Sequence, residues 1–183
     1  MRQLNRYAKW LTIPLIISLH ILASGELNDI LYHPSPWLSL SRNLTRDAVL
    51  GLGVGVLYVG VSRWWVHRTQ WGRSLEDDML TLLGTRPRAP IENAFSSALI
   101  EEIVFRGVLL QYVSIWTGAA IFACFHLPTR RSLILWMLSA FGMGLVFGGA
   151  FLAGFSLIAP LTAHFTVNYM NLHYLSRRQN AFN

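Results

Sequence analysis

The stretch Leu99–Gly107, "LIEEIVFRG", sets Glu101, Glu102 and Arg106 inside one of the most apolar parts of the chain. Further on, "FACFH" ends at His126, and "HFTVN" places His164 and Asn168 four residues apart. A carboxylate, two imidazoles and an amide are suited to hydrolysing an amide bond. A glutamate in a desolvated site can serve as general base towards water near neutral pH. A histidine can orient that water or carry its proton. An amide N–H and a second imidazole can stabilise the oxyanion as the acyl carbon becomes tetrahedral.

Helical spacing sorts these groups. Glu102 and Arg106 are one turn apart and can pair, which reads as a structural ion pair. Glu101 points about 100° away and finds no basic partner on its own helix. His164 and Asn168 share one face, an arrangement that also serves as glue between membrane helices. His126, Asn171 and His173 fall at the ends of their segments, where interfacial side chains are ordinary. Other nucleophiles have less support: no Gly-x-Ser-x-Gly occurs, and Ser139 and Ser156 have no base beside them in sequence. No His-Glu-x-x-His occurs either. Zinc held by Glu101, His126 and His164 from three helices is the metal-dependent version of the same site, and the metal-free version is the one expected here.

These groups need elements to hold them, and composition says what surrounds those elements. Of the 183 residues, 53% are apolar and only 13% charged, about half the usual soluble share. The reading is an all-α, polytopic membrane helix bundle of about six transmembrane helices, near residues 10–24, 48–66, 91–111, 112–128, 132–151 and 156–175. A single helix over 132–175 would be about 66 Å long, twice the bilayer, so it must fold back; Gly148, Gly149 and Gly154 are the permissive places. In this arrangement Glu101, His164 and Asn168 lie roughly 12–18 Å from their membrane faces and can share one cavity.

The net charge of +6 comes almost wholly from arginines in short clusters between apolar runs, which is not a nucleic-acid stripe. Twelve basic residues fall on one side of the six-span model, and only Arg42 and Arg46 on the other. Both termini are therefore expected in the cytoplasm. Residues around Leu75–Leu83 read as an interfacial helix on that face. The first apolar run, after "MRQLNRYAKW", has a rival reading as a signal peptide, which leaves the orientation unchanged. The single Cys124 excludes an intrachain disulfide and a cysteine-built zinc site.

Taken together and in order, "EEIVFR", "FACFH" and "HFTVN" resemble the Glu-Glu-x-x-x-Arg, Phe-x-x-x-His and His-x-x-x-Asn motifs of the CAAX protease and bacteriocin-processing family of intramembrane endopeptidases. The resemblance covers about residues 75–175, a catalytic core between N-terminal helices (1–74) and a short cytoplasmic tail (176–183). It implies that Glu101 activates water with His126, that His164 and Asn168 form the oxyanion hole, and that Glu102, Arg106 and Phe122 order the site. It also implies no cofactor, a membrane-anchored protein or peptide as substrate, no nucleic-acid partner, and a bacterial inner-membrane location. The chain is short beside the eukaryotic prenyl endopeptidases of that family. A non-catalytic membrane partner or immunity protein that keeps the polar core is the competing reading. A small proton-coupled carrier is a further one, disfavoured because no internal repeat is evident.

Overall fold

Asn43 starts the first helix by accepting the Arg46 backbone N–H on its side chain at 3.0 Å. That helix, α1 (Leu44–Arg68), carries Asp47 in its first turn and His67 and Arg68 in its last, so both ends complement the helix dipole. Thr69 breaks the run, and its hydroxyl caps α2 (Gln70–Leu83) by accepting the Gly72 N–H at 3.0 Å. The joint is tight: a Cβ at Gly72 would lie 2.4 Å from the Val66 Cα. In this computed structural model the described residues are 43–83 and 90–182. The first apolar segment, and with it the choice between span and signal peptide, lies outside them.

Pro90, whose ring suits a first helical turn, opens α3 (Pro90–Glu102). The chain then widens into a π-helical turn (Ile103–Val108) and tightens into a 3₁₀ turn (Leu109–Gln111). Ser114 caps the ten-residue α4 (Ile115–Cys124), accepting the Thr117 N–H at 3.2 Å. A 3₁₀ turn (Arg131–Leu133) leads into α5 (Ile134–Leu152), and α6 (Ile158–Phe182) completes the described chain. All elements among the described residues are helical, as composition and periodicity led us to expect. The helical part of the fourth apolar run is only about 15 Å long, because turns occupy both its ends. Among the described residues two helices, Leu44–Arg68 and the 22 residues Arg131–Leu152, are long and apolar enough to cross a membrane.

The fold-back expected between 132 and 175 falls at Gly154, which adopts φ +88°, a conformation that favours glycine. Gly148 and Gly149 stay inside α5. A Cβ at Gly148 would come within 3.1 Å of Ile115, so its smallness serves helix packing instead. The turn is tied to α1 by a contact the sequence did not suggest. Buried Asp47 accepts both the Ser156 N–H (2.8 Å) and the Ser156 hydroxyl (2.6 Å). Arg46 pairs with the same aspartate and lies over the Phe155 ring.

α6 is the central element, packed against α1 on one side and α3 on the other, while α4 and α5 pair with each other. Every fourth residue of α1 (Asp47, Gly51, Gly55, Val59) is buried, facing Ala159, Ala163 and Val167 at the same spacing on α6. A Cβ on Gly51 would sit 2.2 Å from the Ala159 carbonyl oxygen, so only glycine permits this approach. Close backbone packing of small residues is the usual means of joining helices in lipid, where the hydrophobic effect gives no help. The opposite faces agree with lipid as the solvent. Leu52, Leu57 and Trp64 of α1 and Leu138, Val146 and Leu152 of α5 are apolar and exposed.

At the far end of the bundle from Asp47, α2 is clamped twice. Buried Glu76 meets Arg178 of α6 at 2.5 Å. Asp78 accepts hydrogen bonds from Ser132 and Arg130 in the segment between α4 and α5. Those bonds, led by Ser132, hold the Asp78 carboxyl below its usual range, so the clamp is present above the ordinary aspartate pKa and is lost only as the pH falls through the lowered one.

Candidate active site

The end of α3 and the middle of α6 bring most of the expected side chains into contact. Glu102 is fully buried, and one of its oxygens serves two partners. Arg106 Nη1 donates to Oε1 at 2.9 Å, and His164 Nδ1 donates to the same atom at 2.6 Å. The i,i+4 ion pair expected from spacing is present, but it also holds an imidazole that is 62 residues away in sequence. Because an ionised carboxylate only accepts, His164 carries its proton on Nδ1. Its other nitrogen, Nε2, therefore faces Glu101, 3.7 Å from Oε2.

Glu101 differs from its neighbour in the way the helical geometry implied. Its side chain remains 31% exposed, while its Oε2 is buried and has no hydrogen-bond partner among the described residues. An orphaned buried carboxylate oxygen is costly to maintain and calls for a functional account. Glu102 Oε2 is likewise buried without a hydrogen-bond partner among the described residues.

Phe122, buried at the end of α4, is the apolar centre of the site. Its ring lies 4.9 Å from that of His126 and 6.0 Å from that of His164, and the Arg106 guanidinium sits 4.8 Å above it. Phe147 of α5 supports the same two groups from the other side, 5.8 Å from His164 and 5.4 Å from Arg106. His126 follows the last turn of α4. Its Nδ1–H donates to the Phe122 carbonyl at 2.9 Å, which leaves Nε2 as the free nitrogen. Trp136 packs edge-on against the same ring at 4.9 Å.

Asn168 donates from Nδ2 to the Ser97 hydroxyl at 3.0 Å. It contacts α3 one turn from Glu101 rather than the other candidates directly. Ser97, Phe147 and Trp136 were missed by sequence reasoning. Only Ser97 left a signal, lying four residues before Glu101 on the same helical face. His173 and Asn171 lie outside the site: His173 stacks on Tyr169, and Asn171 approaches Arg63 at 3.5 Å. Among the described residues, no three His, Cys, Asp or Glu side chains gather as ligands of one metal ion.

Residues 89–170 match the family model described as type II CAAX prenyl endopeptidase Rce1-like. YpbD of Bacillus subtilis (strain 168), described as an uncharacterized protein, is 36% identical over 77 residues, covering 39% of this chain and 37% of its own length. The chain thus matches little more than a third of that relative. No solved structure matches. Every side chain that builds the site falls inside the matched stretch, so the likeness to the Rce1-like type II CAAX prenyl endopeptidases covers residues 89–170 and the whole candidate site.

Proposed function

We propose that this chain is a glutamate-dependent intramembrane endopeptidase, cleaving a peptide bond near the C-terminus or membrane segment of a membrane-anchored substrate. The observation that carries the reading is Glu101 Oε2, a buried acceptor with no hydrogen-bond partner among the described residues, which faces His164 Nε2 at 3.7 Å from a side chain that is still partly exposed. Water hydrogen-bonded there gives up its proton to Glu101 as its oxygen attacks the acyl carbon, with His126 Nε2 available to orient it. The tetrahedral intermediate then collapses by breaking the C–N bond, and Glu101 passes that proton to the leaving amine. Asn168 contributes an amide N–H to the developing oxyanion. His164 contributes Nε2–H to it only as imidazolium, since Nδ1 keeps its proton for Glu102.

The test works without an identified substrate. A native host lacking its own copy is complemented with the wild type or with Glu101→Gln, and protein termini in the membrane fraction are compared by mass spectrometry. New termini made by the wild type and absent with the variant are expected. Identical termini would favour the non-catalytic partner or immunity protein.

The chemistry proposed is metal-free. The Glu101 carboxylate as base and the polar donors around it suffice without a Lewis acid. Turnover should survive exhaustive chelation. Stoichiometric zinc whose removal stops cleavage and whose return restores it would overturn this.

We also place the protein in the bacterial inner membrane with both termini cytoplasmic. Arg63, Arg130 and Arg178 gather at the α2 end of the bundle, opposite Arg46, in keeping with the positive-inside rule. Reporter fusions at residue 80 and after 183 should report cytoplasm, and one near residue 38 the outside. A reporter at residue 80 facing outwards would reverse the assignment.

A further inference from the structure

We infer that Ser97 is a positioning residue for Asn168, fixing which face of its amide meets the scissile bond; this rests on the reading of Asn168 as an oxyanion donor. Where α3 and α6 meet they run antiparallel, and their polar contacts form two rungs one turn apart. Glu101 faces His164 at 3.7 Å, and Ser97 faces Asn168 at 3.0 Å. Ala94 and Ala98, both fully buried, let the two backbones approach closely enough for such short side chains to meet.

The direction of the hydrogen bonds matters more than their number. The Ser97 hydroxyl donates to the Ala94 carbonyl at 3.3 Å, a bond within its own helix. Its oxygen then has only lone pairs to offer Asn168. The amide must answer with Nδ2–H, because turning Oδ1 towards Ser97 would oppose two acceptors. One N–H is thereby committed, and the second, held in the same plane, is left for the reacting carbonyl oxygen. Without Ser97 the terminal amide torsion is broad and roughly two-fold. Some fraction of the molecules would then present Oδ1, which repels an oxyanion.

The consequence should appear in the transition state and not in substrate binding. With a reporter peptide spanning a bond cleaved by the wild type but not by Glu101→Gln, Ser97→Ala should lower kcat about 10-fold and leave KM unchanged. That is less than the roughly 10²–10³-fold expected for losing an oxyanion donor outright. Ser97→Thr keeps a hydroxyl that bonds back to the preceding turn and should recover most of the rate. On an Asn168→Ala background, Ser97→Ala should have no further effect on kcat. The same cycle read by melting temperature in detergent reports the pair without any substrate. The loss caused by Ser97→Ala in the wild type should vanish in Asn168→Ala.

A Ser97→Ala variant with wild-type kcat overturns the inference while leaving the peptidase reading intact. An equal loss of kcat on the Asn168→Ala background overturns it too, since Ser97 would then act through another group. Failure of Thr to rescue assigns the effect to packing and also overturns it. If the wild type and Glu101→Gln yield the same termini, the peptidase reading itself fails. The melting cycle then decides only whether Ser97 holds Asn168.

Discussion

Glu101→Gln should abolish cleavage and leave the protein inserted and as stable as the wild type. The substitution keeps the volume of the side chain and one carbonyl oxygen but removes the proton acceptor that activates water. General-base catalysis is worth about 10²–10⁴-fold, so the residual rate should fall to a per cent or less. Stability is expected to hold because Glu101 Oε2 makes no hydrogen bond among the described residues that the amide would break, and its 3.7 Å approach to His164 is long. An amide placed beside Nε2 also leaves Glu102 and Arg106 paired on the neighbouring face. Cleavage by the purified variant is compared with the wild type in proteoliposomes, alongside a melting temperature in detergent. Wild-type cleavage by Glu101→Gln would remove the mechanism. Loss of cleavage accompanied by a large fall in melting temperature would show Glu101 to be structural.

What could be read from the sequence was local or periodic. Helical spacing separates Glu101 from Glu102 and pairs the latter with Arg106, and both expectations match the observed contacts. The fold-back at Gly154 follows from length against bilayer thickness, and the glycine supplies the backbone conformation. Contacts between distant segments were not legible. Nothing in the sequence states that Glu102 and His164, 62 positions apart, bond to each other, because such a pairing depends on how α3 crosses α6. Asp47 escaped notice for a related reason. At a helix start it resembles an ordinary first-turn acid, and its bonds to distant Ser156 have no local sequence signal. Glu76 sits on an amphipathic helix as any surface acid would, yet it is buried against Arg178. The α1–α6 seam could have been found, since Gly51 and Gly55 recur at the four-residue spacing of small residues that join membrane helices.

Glu102→Gln should behave in the opposite sense to Glu101→Gln, losing stability and activity together. Glu102 and Arg106 are both almost wholly buried, and removing the carboxylate leaves a guanidinium without its counter-charge. Breaking a buried pair from one side costs about 3–5 kcal/mol, whereas an exposed pair costs less than about 1. The cost does not end with the pair. His164 Nδ1 donates to the same oxygen as Arg106, and a neutral amide oxygen is a weaker acceptor for two donors at once. The imidazole therefore loses its anchor, and Nε2 is no longer aimed at Glu101. Arg106→Gln should cost a similar amount of stability by stranding the carboxylate, but it leaves Glu102 free to hold His164. Of the two variants, Arg106→Gln should thus keep more activity per folded molecule. Melting temperature in detergent and kcat per folded protein, measured for both, separate these contributions. Equal melting temperatures for Glu102→Gln and the wild type would show that the pair contributes nothing to stability. Equal kcat for the two variants would show that the Glu102–His164 bond does not aim the ring. Full activity in Glu102→Gln would remove both roles and leave Glu101 as the only functional glutamate of the pair.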